Sequence, residues 1–225
     1  MSTVAEPKQR NSGTHQTRAE PRWPALVAIL AMAGLHLLLP ERLTPGPTWL
    51  IVLLILVMLA IAVVSHHAGR SNLNQTAGLV LLMTITVTLI WSLGMLISGL
   101  PGKKEGPTEL LRSAVALWVS NILLFASWYW RLDAGGPHRR DTRSMHTQGA
   151  FLFPQMTLPP ALKAGAEAWK PGFVDYLFLA FNTSTAFSPT DVPVLSAWAK
   201  ILMIIQSCIS LGTIAILAAR AINIL

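Results

Sequence analysis

Charge and cysteine are what this chain has least of. Only 12% of its 225 residues are charged, about half of the roughly 25% usual in soluble domains. The one cysteine, Cys208, has no second thiol to pair with, so it reads as a small apolar filler within a span. Histidine pairs at metal spacing are missing too. His36 is isolated, and His66 and His67 are adjacent, so on a helix they point apart where a metal site needs one turn between ligands. No glycine-rich phosphate loop occurs, and no nucleophile stands beside a base. These absences leave no candidate for catalysis, for a cofactor or for a metal, and the chain is not expected to be an enzyme. The basic residues are scattered rather than interleaved with aromatic ones, which argues against a nucleic-acid partner.

What the chain does have is apolar length. Hydrophobic residues make up 52% of it, gathered in uncharged runs. In hydrocarbon every backbone polar group must be satisfied within its own segment, so such runs are helices. The expected fold is all-α: a polytopic transmembrane helix bundle with about six hydrophobic segments in the lipid bilayer. Residues 1–22 are polar and aperiodic and read as a flexible cytoplasmic tail. Residues 23–132 form a four-helix transmembrane region with spans at Pro24–Leu39, Thr48–Ser65, Thr76–Ile97 and Leu110–Leu132. The first has no small-residue cleavage site after it and reads as a retained span. It is short, so it needs local thinning of the bilayer or a protein neighbour. Thr84, Thr88 and Ser92 lie a turn apart on the third span, and Ser120 and Asn121 sit within the fourth; all are expected to bond between helices.

Charge sets the expected orientation. The tail, Arg70, Arg131 and the 133–171 region hold eleven basic residues, whereas Arg42, Lys103, Lys104 and Arg112 hold the other side. The positive-inside rule places the N-terminus and the 133–171 connector in the cytoplasm. That connector is broken by Gly135-Gly136-Pro137 and Pro159-Pro160. Its Phe151-Leu152-Phe153 and the amphipathic Ala161–Trp169 are expected on the membrane surface or against another subunit.

Residues 172–225 form a pore-like module. Phe173–Phe187 would span about 22 Å as a helix, short of a ~30 Å hydrocarbon core. It either crosses with a non-helical end or enters and turns back. Asp175 falls in its first turn, where the helix dipole favours an anion and a capping role is expected. Thr183, Ser184 and Thr185 close it, and Ser188-Pro189-Thr190-Asp191 follow. The last helix, Pro193 to about Asn223, carries Gln206, Ser210, Thr213 and Arg220 on one stripe. Such a stripe faces protein or water. It either glues helices together, helped by Ser207, Gly212 and Ala215, or lines a path. The candidate lining residues are Thr183, Ser184, Thr185, Asp191, Gln206, Ser210 and Thr213.

The stretch Phe173–Val192, with Asn182-Thr183-Ser184-Thr185 and Ser188-Pro189-Thr190-Asp191 at its centre, resembles the C-terminal signature of a family of uncharacterised bacterial multi-pass membrane proteins. Trp130-Arg131-Leu132-Asp133-Ala134-Gly135-Gly136-Pro137 is similar to the element preceding that family's connector. The resemblance implies a multi-pass protein of the bacterial inner membrane. More loosely, Thr183–Asp191 is similar in layout to the pore module of tetrameric cation channels. Where those have a Gly-Tyr-Gly filter, this chain has Ser188-Pro189-Thr190, and Pro189 fixes a dihedral that a carbonyl filter needs free. The channel likeness therefore implies a path or vestibule for a cation or small solute in a homo-oligomer, without that filter's selectivity. The alternative is a non-conducting structural or accessory membrane protein that assembles with a partner.

Overall fold

The computed structural model describes residues 20–99, 106–143, 146, 148–158, 169–186 and 192–222. Among them helices dominate. Four are long and apolar enough to cross a membrane: α2 (Thr48–His67), α3 (Ser71–Gly99), α4 (Pro107–Leu132) and α8 (Ala197–Ile222). Two more are apolar but short, α1 (Trp23–Leu37) and α7 (Phe173–Thr185). The expectation of about six membrane segments thus narrows to four helices of spanning length. The helix α1 has 15 residues and α7 has 13, about 22 Å and 20 Å of rise. Two short helices, α5 (Pro137–Asp141) and α6 (Pro154–Thr157), lie in the connector.

Helix starts follow local chemistry. Proline opens α1, α4, α5 and α6 within the first two positions, where its missing N–H costs nothing. The third helix starts at Ser71, earlier than the expected Thr76, because Gly69 alone turns the chain in the left-handed region (φ +69°). The end of α4 is sharper. Ala134, Gly135 and Gly136 all have positive φ. A Cβ at Gly136 would come within 2.8 Å of the Arg131 carbonyl, so only glycine permits this reversal.

The fourth helix is the axis of the bundle: α1, α3, α7 and α8 all pack on it. The helix α2 lies outside, against α1 and α3. Arg22, His66, Asn74 and Arg131 gather at one end, which we call the basic end. Arg42 and Glu109 approach to 3.7 Å at the other. The connector differs from expectation. Phe151 and Phe153 are buried within the chain itself, with Phe151 5.3 Å from Tyr129 and 6.1 Å from Trp198 by ring centroids. A bridge joins Phe151 to Val194, and Leu195 N–H donates to the Ala150 carbonyl. Of the amphipathic stretch Ala161–Trp169, only Trp169 lies within the described residues, 5.5 Å from Phe153.

This clamp fixes the direction of the C-terminal module. The first turn of α7 meets Asp133 through Tyr176, and the approach to α8 meets Phe151 through Val194. Both helices therefore begin at the basic end and run the same way. The seventh helix stops about 20 Å in, with Ser184 beside Gln206 of α8.

Candidate functional site

The polar residues of α7 and α8 meet those of α4 in a buried seam. Gln206 is its hub. Its amide nitrogen donates to the Ala180 carbonyl (2.7 Å) and the Ser184 hydroxyl (2.8 Å), and its amide oxygen accepts from the Tyr129 hydroxyl (2.5 Å). Asn121 of α4 donates to the Gln206 carbonyl at 3.2 Å. One turn on, the Ser210 hydroxyl donates to the Ser184 carbonyl at 2.7 Å and accepts the Trp118 indole N–H at 3.2 Å. The seam thus ties together the one helix that stops midway and the two that continue.

The sequence candidates divide accordingly. Ser184, Gln206 and Ser210 are brought together and bonded across helices. Thr183 and Thr213 are buried but bond back to their own helices, to Leu179 and to Ile209 and Ser210. Thr185 is exposed at the tip of α7, bonding back to the Phe181 carbonyl. Asp191 and the preceding Ser188-Pro189-Thr190 lie outside the described residues, as does the Arg220 side chain. Asp175 caps α7, its carboxylate accepting the Gly172 N–H at 2.7 Å. On α3 the expected inter-helix bonds are not made by Thr84 and Thr88, which bond to carbonyls of their own helix. Thr86 instead receives the Trp128 indole N–H from α4.

A second buried cluster, missed by the sequence reading, closes the basic end. The Asp133 carboxylate accepts the Ala150 N–H at 2.5 Å and the Tyr176 hydroxyl at 2.6 Å, with the His146 ring nitrogen 3.5 Å away. Arg140 donates to the Trp130 carbonyl in the last turn of α4, to the Asp133 carbonyl, which also accepts the Gly136 N–H, and to Glu20 at 3.0 Å. Its guanidinium lies 5.2 Å over the Tyr176 ring. The other Glu20 oxygen accepts the Trp130 indole N–H. Asp141 takes Arg22 and the Glu20 N–H. Burial raises the Glu20 carboxyl above its ordinary 4.5, against the lowering pull of Arg140. Burial likewise lowers the His146 imidazole below 6.5, against the raising pull of Asp133.

Chemically this cluster is a lock. It combines an acid, a hydroxyl and an imidazole, all three buried. No group of three or more His, Cys, Asp or Glu side chains among the described residues is close enough to hold a metal. One α4 signal was available in sequence: Trp118, Asn121, Phe125 and Tyr129 recur at helical spacing and form the inward face. The Asp133–Tyr176 and Glu20–Arg140 contacts join residues 43 and 120 positions apart, and no local pattern announces them. The chain carries several helices fit to cross a bilayer, which marks it as a membrane protein. No family model, no curated protein and no solved structure matches it.

Proposed function

We propose that the chain is a channel-like membrane protein in which α7 is re-entrant and several copies bring its tips together around a path for a cation or small solute. One observation carries this reading. The helices α7 and α8 begin at the same end of the bundle, and α7 stops midway with Thr185 and Ala186 exposed. Backbone that leaves a helix at membrane depth must be covered by protein or water, because lipid offers it no hydrogen bonds. A half-helix C-terminus also carries partial negative charge, and such ends coordinate cations in membrane transporters. Under this reading the lining falls to Thr185, Ala186 and the candidate Asp191. Thr183, Ser184, Gln206, Ser210 and Thr213 hold the tip of α7 in place, since their hydrogen bonds are made within the chain. The Arg22–Arg131 end faces the cytoplasm of a bacterial cell, as the charge asymmetry favours.

A second reading is a non-conducting accessory protein. It is favoured by the apolar outer face of the module, where Phe178, Phe181, Ile201 and Ile204 are all exposed. Cation flux into liposomes separates the two. Wild type is expected to conduct above empty vesicles, and Thr185→Val to change the rate without changing oligomer size. A monomer in mild detergent, or a folded oligomer with no flux, sinks the channel reading. Orientation is checked by thiol labelling in whole cells, with Cys208 replaced by Ala. Arg112→Cys should label from outside and Arg139→Cys should not.

A further inference from the structure

Two adjoining clefts open at the basic end between α1, α2, α3 and α4. The larger, about 220 Å³, has apolar walls from Ala25, Leu26, Ile29, Leu59 and Leu81, and Arg131 lies in it. The smaller, about 100 Å³, is lined by Arg22, His66, Asn74, Gln75 and His138. Arg22, His66 and Asn74 belong to both, so the apolar groove leads into a cationic, amide-rich mouth.

Arg131 is the unusual member. It is only 8% exposed, yet no carboxylate pairs with it among the described residues. Its one hydrogen-bonding nitrogen, Nη1, reaches the neutral Asn74 carbonyl at 3.0 Å and the Asn74 side-chain oxygen at 3.5 Å. Nε and Nη2 bond to no described residue, although neither is sealed from the cleft. The acids nearby are engaged elsewhere: Glu20 with Arg140, Asp141 with Arg22, and Asp133 with Ala150 and Tyr176. A buried guanidinium with only neutral acceptors is costly. Its seat is nonetheless built for it. A Cβ at Gly78 would fall 1.9 Å from the Arg131 guanidinium carbon, so the α3 backbone lies directly beneath the charge.

We propose that this cleft binds the phosphate head of an anionic phospholipid, with Arg131 as its counter-ion and the first methylenes of an acyl chain along Leu26, Ile29 and Leu59. The planar guanidinium fork suits a phosphate, and basic pockets between transmembrane helices take such head groups. The cleft is smaller than the roughly 300–1,000 Å³ of ordinary ligand pockets. It therefore holds the head and the start of one chain, and the bilayer holds the rest. The observations favour an amphiphile over free phosphate because the larger cleft is the apolar one.

The test is native mass spectrometry of the full chain released from nanodiscs of mixed phosphatidylglycerol and phosphatidylcholine. Wild type is expected to retain phosphatidylglycerol over phosphatidylcholine by about fivefold or more, the worth of roughly one cation at an anionic head group. Arg131→Gln should abolish the preference. Leu26→Trp, at a half-buried groove position, should weaken retention while every charge remains. Inorganic phosphate at millimolar concentration should not displace the lipid. Equal retention of the two lipids by wild type overturns the proposal, as does a preference that survives in Arg131→Gln or unweakened retention in Leu26→Trp. Displacement by inorganic phosphate overturns the amphiphile and leaves a free-anion site. Should Arg131→Gln not fold, Gly78→Ala, which pushes the guanidinium off its seat, is expected to lower the preference in the same way, and no loss there counts equally against the site.

Discussion

The helices α2 and α4 are both of spanning length, yet they occupy opposite places. The most apolar stretch of α2 has a mean hydropathy of 2.9 with 33% of its residues buried, whereas that of α4 has 1.6 with 67% buried. The more apolar helix is the less buried one. In water this would be inverted, because burial there follows the hydrophobic effect. In a bilayer lipid is as apolar as leucine, so hydropathy reports lipid contact and polarity reports the interior. Thus α2 shows Leu53, Leu54 and Val57 to its surroundings, while α4 turns Trp118, Asn121 and Tyr129 onto Gln206 and Ser210.

The comparison breaks most visibly at the end of α4. Asp133→Ala would leave the Ala150 N–H and the Tyr176 hydroxyl buried without acceptors. It is expected to cost about 3 kcal/mol or more and to free the connector from α7. Denaturant unfolding in detergent micelles measures the cost, and protease sensitivity near Phe151 measures the release. Gln206→Leu tests the seam itself. Three side-chain hydrogen bonds are lost, for an expected loss of about 2 kcal/mol, and a neutral outcome would show that packing alone holds α4, α7 and α8.

Acid sharpens the contrast through His146, which lies beside Asp133 at the end of α4. Its imidazole is held below 6.5 by burial. Stability from the neutral ring is therefore present above pH 6.5 and is lost as pH falls through the lowered value in the folded state. His146→Gln is expected to flatten this slope in thermal unfolding scans from pH 7.5 to pH 5. Glu20, raised above 4.5 by burial, works in the other sense: its contribution is present below pH 4.5 and is lost as pH rises through the raised value. The smallest effect is expected outside. Leu53→Ala on α2 should shift stability by no more than about 0.5 kcal/mol, and a large loss there would mean that protein, not lipid, covers this face.

The helical membrane class and the existence of each apolar helix were legible in sequence, because run length and missing charge act locally. The polar stripe of α8 was legible as well, and so was its ambiguity between glue and lining. Gln206 and Ser210 prove to bond α4 and α7, which the stripe alone could not say: periodicity names a face but not its neighbour. The connector misled for a related reason. Phe151 and Phe153 look like surface anchors until Tyr129, Tyr176 and Trp198 are brought round them from elements far apart in the chain.

By itself the sequence determined where the chain is helical and that it belongs in lipid, since backbone hydrogen bonding in hydrocarbon leaves no other choice. Only the tertiary structure decided which helix is central, that α7 and α8 start from one end, and that Asp133 and Arg140 lock that end. Those outcomes depend on polar atoms finding acceptors as far as 43 and 120 residues away in the chain, and a buried hydrogen bond or ion pair leaves no trace in local composition until the fold closes it.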